Sequence, residues 1–259
     1  MSVPSTIDDA GPQSAAPLVR RVGAQALAEI RTVLRNGEQL VITLVLPLLI
    51  LVALTRTTLV DLGTGDRVDV VVPGIFALAV MSTAFTSQAI ATGFDRRNGV
   101  LRLLATTPLG RGGLVAGKVV AVVALEVLQL AVLGGAALAL GWRPDVAGVP
   151  GALAALVLGT AAFTSLALLV AGLLRAEAVL AVANLLWVLL LAGGGVVLPP
   201  SMLPGPLATL ATALPSGALG EALRTALADG AFPAAPLAVL AAWTAVLSAL
   251  VARTFRWSS

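Results

Sequence analysis

The chain has 259 residues, 58% of them hydrophobic and only 11% charged, with a mean hydropathy of +1.01. A soluble domain carries about 25% charge, so this balance is that of a polytopic membrane protein, with no segment polar enough for a soluble domain. The positive excess is only three charges, which favours a topological role for the basic residues over nucleic-acid binding.

Cysteine, histidine and tyrosine are absent. Disulfides, thiolate chemistry, imidazole bases and the usual zinc ligands are thereby excluded. Fifteen arginines stand against one lysine, Lys118, a bias of GC-rich bacterial coding sequences.

Residues 1–17 are rich in Ser, Pro and Ala and hold Asp8 and Asp9. Without a basic start or an apolar core they read as a disordered cytoplasmic tail, not a signal peptide. Pro17 can open a helix at its first position. At a step of about 100° per residue, Arg20, Arg21, Arg31 and Arg35 share one arc, and Val19, Val22, Ala26, Leu27, Ile30, Val33 and Leu34 the opposite one. Residues 18–36 therefore read as an amphipathic helix in the membrane interface. Residues 37–259 read as a single six-helix transmembrane domain.

A span needs about 20 apolar residues. Six candidates meet this, at roughly 39–55 with Pro47 as a kink, 70–92, 114–140, 149–174, 178–198 and 233–251. With the N-terminus inside, twelve of the sixteen basic residues fall on inner segments, and Arg56, Arg67, Arg143 and Arg224 on outer ones. This asymmetry places both termini in the cytoplasm.

The break between the second and third spans is the most basic interior segment, carrying Arg96, Arg97, Arg102 and Arg111. Asp95–Thr106 can form a short helix, with Val100, Leu101, Leu103 and Leu104 on an apolar surface and Arg96, Arg97 and Arg102 on a cationic one. Pro108 stops it, and Thr107 can cap the next helix. Such a rigid element can transmit a push to both spans; alternatively its arginines only anchor topology and bind anionic headgroups.

Five prolines punctuate 199–215, yet Leu207–Leu214 is too apolar for a free loop. Residues 217–228 read as a helix with Ser216 as a cap and Glu221 and Arg224 paired at i, i+3. A re-entrant helical hairpin on the outer side accounts for this segment.

Asp95-Arg96-Arg97-Asn98-Gly99-Val100-Leu101, Leu104, Thr107-Pro108-Leu109, Arg111, Leu114 and Gly117-Lys118 resemble the first cytoplasmic loop of type-2 ABC exporter permeases. These are membrane subunits of bacterial drug and lipid exporters, the daunorubicin-resistance permeases among them. The plan of an interfacial helix, six spans and outer re-entrant helices is similar too. The resemblance implies an all-α permease of the bacterial cytoplasmic membrane. It also implies a second permease subunit, identical or a sister, and separate ABC ATPase subunits that carry the ATP and Mg. It assigns coupling to Asp95, Arg96, Arg97, Asn98, Gly99, Leu101, Arg102, Leu104, Pro108 and Arg111. The implied cargo is amphiphilic, drug-like or lipid-like, and the chain itself is no enzyme and holds no cofactor. A non-transporting polytopic scaffold or assembly factor is the alternative.

Gly112–Lys118 has the glycine and lysine spacing of a phosphate-binding P-loop, but Val119 stands where the magnesium-binding Ser or Thr belongs. ATP hydrolysis therefore belongs to a partner. Glu126 sits mid-way along the third span with Gln129 nearby, where a charge costs roughly 2.5–3.5 kcal/mol on insertion scales. It is therefore protonated, faces a wet cavity or bonds a polar neighbour such as Gln129, Asn184, Ser165 or Thr164. Glu126, Gln129, Asn184 and Gln88 are candidates for the substrate path, with helix-to-helix bonding as the other reading. Gly151, Ala155 and Gly159 suit close packing, and Gly193–Gly195 a loosened end of the fifth span.

Overall fold

Apolar segments that cross a bilayer must satisfy their backbone internally, and each apolar run of this chain is helical. The computed structural model describes residues 16–57, 66–105, 107–197 and 199–254, apart from the side chains of Glu38, Ile42, Arg102, Leu104, Ala105, Arg111 and Ser201. Nearly all of the expected tail, together with Arg256 and Trp257, lies outside the described residues.

Helix α1 is Leu18–Arg35, α2 covers 37–56, and α3 is Arg67–Arg97. A short α4, Val100–Ala105, precedes α5, Gly110–Ala139. Then come α6, Val149–Leu173, and α7, Ala176–Gly193. The last three are α8, Gly205–Ala213, α9, Pro215–Leu227, and α10, Ala234–Thr254. Among the described residues five helices are long and apolar enough to span, with Thr43–Arg56 as a shorter apolar one. The molecule is an all-α polytopic membrane protein.

Two spans are not regular. Val41–Val45 in α2 and Met81–Ser87 in α3 are π-helical. In α2 the cause is legible: Pro47 has no N–H to give the Thr43 carbonyl one turn before it. The expected kink at Pro47 is realised as this change of winding.

The second span, α3, is the centre. Val71–Phe85 is buried without interruption, with α2, α5, α6, α7 and α9 packed around it. Phe76 meets Trp142 edge-on, ring centroids 5.5 Å apart. Trp142 is thus a buried packing residue. Lipid tails are as apolar as these side chains, so close fit rather than water exclusion holds the helices together. Gly159 receives Leu219 of α9 and Gly151 receives Pro233, where a Cβ would come within 2.8 Å and 2.7 Å of the neighbour. On the opposite faces Val119, Val123 and Val127 of α5 and Leu185, Val188 and Leu189 of α7 are exposed, as lipid-facing residues are.

The fifth span stops at Gly193, short of the expected 198, because Gly193–Gly195 cannot sustain a helix; Gly195 has φ 58°. Beyond it, α8 and α9 form the expected helical hairpin. Helix α9 is buried against α3, α6 and α10, whereas α8 is largely exposed. Ser216 does not cap α9: its hydroxyl donates to the Leu190 carbonyl at 2.9 Å. Arg224 is 7% exposed and donates to the Val196 and Gly195 carbonyls at 2.5 Å and 3.2 Å, with Glu221 3.7 Å away. It fastens the segment after α7 onto the hairpin.

Candidate functional site

The basic break is not one helix. Asp95, Arg96 and Arg97 form the last turn of α3, where cationic side chains favour the helix dipole. Asn98 and Gly99 make the turn, and Gly99 has φ 73°, a conformation that suits glycine. Only 100–105 is the separate short helix. The expectation of a single helix over Asp95–Thr106 is corrected accordingly: a left-handed turn divides it.

Asp95, Arg96 and Arg97 all bond within the chain. Arg96 donates to the Gly172 carbonyl at 2.6 Å and to the Leu174 carbonyl. It thereby closes carbonyls that the end of α6 leaves without helical donors. Arg97 pairs with Glu177 in the first turn of α7 at 2.5 Å, both side chains being more than half exposed. The two arginines staple the α6–α7 turn to the end of α3. Asp95 faces the other way and pairs with Lys118 of α5 at 2.9 Å; Lys118 also pairs with Glu29 of α1 at 3.1 Å.

Leu101 is buried with Leu109, Leu114 and Val22, so α4 is seated on α1 and α5. Leu103 is 67% exposed, and Asn98 and Pro108 are exposed beside it. The side chains of Arg102, Leu104 and Arg111 lie outside the described residues.

The P-loop-like segment is helical from Gly110 onward and forms no loop to cradle a phosphate. Its Gly113 and Gly117 serve packing. A Cβ on Gly117 would stand 2.7 Å from Gln25 Cγ and 3.5 Å from the Val22 carbonyl, so this glycine lets α1 lie against α5.

The four intramembrane candidates do not form one constellation. Glu126 is 5% exposed and accepts from the Thr160 hydroxyl at 2.6 Å, across to α6; its second oxygen has no partner among the described residues. None of the neighbours expected for it fills that role. Gln129 accepts from the Thr83 hydroxyl at 2.6 Å and donates to the Thr43 carbonyl at 2.5 Å. It therefore bridges the two π-helical segments and supplies a donor to the carbonyl that Pro47 deprives. Asn184 is exposed on α7, apart from the others.

Gln88 and Gln129 share a cavity of about 370 Å³ between α1, α2, α3 and α5. Glu29, Asp95 and Lys118 line it at the basic end, and Thr43, Thr83 and Gln129 further in. The residues that sequence reasoning missed are Glu29, Thr43 and Thr160. One signal was available: the lone Lys118 in an apolar run demands a carboxylate, and Glu29 lies on the edge between the two arcs of α1.

Against this geometry the comparison with known families is decisive. The family model described as ABC-2 type transporter matches residues 22–228, most of the chain. The chain belongs to the ABC-2 type transporter family. A search of curated proteins returns no match. The matched stretch of this ABC-2 permease runs from the first turns of α1 to the end of the re-entrant hairpin. It thus includes the cavity, the basic end and the Gln129 bridge.

Proposed function

We propose that this ABC-2 permease is the membrane subunit of an ATP-driven exporter that moves an amphiphilic, drug-like or lipid-like molecule out of a bacterial cell. ATP is hydrolysed with Mg on separate ABC ATPase subunits, which dock at the basic end. Two permease subunits, identical or sister, form the path, and both termini lie in the cytoplasm of the plasma membrane.

The observation that carries this reading is the construction of the basic end. The end of α3 is bonded to α6 and α7 through Arg96 and Arg97, and to α5 through Asp95 and Lys118, which also holds Glu29 of α1. A force applied at the end of α3 reaches α5, α6, α7 and the amphipathic helix through these bonds. The exposed contact face is formed by Asn98, Leu103 and Pro108. Coupling is thus divided. Arg96, Arg97 and Asp95 hold the lever, and the exposed residues of 98–108 meet the ATPase.

The test is co-purification of the permease with its ATPase in detergent, then ATP turnover in liposomes. Wild type should retain the ATPase and alter its turnover. If no ATPase associates, the transport reading fails.

A further inference from the structure

The cavity between α1, α2, α3 and α5 is built as a receptor. At its basic end stand two carboxylates, Glu29 and Asp95, and one ammonium, Lys118. The set carries one net negative charge, and Arg20 and Arg21 of α1 do not line the space. Part-buried charge without a matching opposite charge is costly. Seven residues before Asp95, about 10 Å along α3, stands Gln88. It is 6% exposed, it lines the cavity, and its amide has no hydrogen-bond partner among the described residues. A buried amide left open toward a cavity is one whose partner arrives with a ligand or with water.

The remaining wall is apolar, from Val33, Leu34, Leu40, Leu44, Leu125 and Leu128. Leu34 and Leu128 are also more than 40% exposed, so the cavity reaches the apolar outer surface. The Thr43–Gln129–Thr83 bridge closes the deep end. The volume lies at the lower end of those that hold drug-sized molecules, about 300–1,000 Å³.

We infer that this cavity, within a single subunit, is a binding site for a monocationic amphiphile that enters from the bilayer. Its cation sits by Glu29 and Asp95, a polar group of the ligand meets Gln88, and its apolar body lies along the leucines. The inference rests on the transport reading for the ligand's fate but not for its binding.

The experiment uses the full-length protein in nanodiscs, with empty nanodiscs as the blank. Two labelled ions of matched shape and opposite charge are the probes: tetraphenylphosphonium and tetraphenylborate. The site predicts saturable binding of the cation and binding of the anion weaker by about tenfold or more, about 1.4 kcal/mol. Glu29→Gln, which brings the cavity to neutrality, weakens cation binding about tenfold or more, the scale of one charge-assisted contact. Ala91→Phe fills the space without altering any charge and removes binding even where Glu29→Gln perturbs the fold. Thr209→Ala, on the exposed helix α8, binds as wild type. Equal affinity for both ions, no saturable binding above the blank, or binding that survives Ala91→Phe overturns the site. Absent binding in a chain that still holds its ATPase sinks this site alone, whereas binding without an associated ATPase sinks only the transport reading.

Discussion

Arg96 and Arg97 are neighbours in sequence with unequal work. Arg96 makes two charged hydrogen bonds to backbone carbonyls at the end of α6, while Arg97 makes an exposed ion pair. Charge-assisted bonds are worth about 1.5–3 kcal/mol and exposed pairs about 0–1. Arg96→Ala should therefore destabilise by about 2–3 kcal/mol and Arg97→Ala by under about 1 kcal/mol, read from denaturation of the purified protein. Equal losses would show that the staple is misassigned. Gln129 invites a double-mutant cycle with Thr83. Intramembrane hydrogen bonds average about 0.6 kcal/mol with a maximum near 1.7, so Gln129→Met and Thr83→Val should couple within about that range. Glu126 is bonded to Thr160 and does not line the cavity between α1, α2, α3 and α5. Glu126→Gln keeps an acceptor for that hydroxyl, so stability and export should persist; loss of export with stability intact would place Glu126 on the substrate path.

At the scale of elements, the sequence was most legible where a single physical constraint dominates. Hydropathy located every span because backbone in lipid must be helical, and the fourth span differs from its expected bounds by one residue. Less legible were features decided by partners distant in sequence. The Asp95–Thr106 break looked like one amphipathic helix because its arginines and its Val and Leu residues can take separate surfaces. Its division at Gly99 goes with Arg96 reaching Gly172 and Leu174, more than seventy residues away. Likewise the glycines before Lys118 resembled a phosphate loop, whereas the work of Gly117 is to admit α1. Gly117→Leu should accordingly push α1 from α5 and open the Lys118–Glu29 pair, at an overpacking cost of about 1–3 kcal/mol. Protease sensitivity of α1 in the intact protein would report it, and an unchanged digestion pattern would contradict the packing role.

The whole molecule is a bundle organised around α3, whose basic end is bonded to α5, α6 and α7 and tied through Lys118 to α1, and whose middle is unwound into a π-helical segment on the wall of the cavity. Substitutions of π for α winding occur frequently at functional sites. Here one side chain, Gln129, holds two of them. The site was only half legible because Gln88 and Gln129 advertise themselves as polar residues in spans, while Glu29 and Lys118 become cavity groups only when α1 folds back on α5. The central claim is that this end is a rigid lever with a separate contact face. It is tested most directly by ATP turnover of the reconstituted complex carrying Leu103→Asp, a change at an exposed position of α4. The account predicts that the protein melts as wild type but loses ATPase association by about tenfold or more, about 1.4 kcal/mol. Wild-type association and turnover in that variant would contradict it.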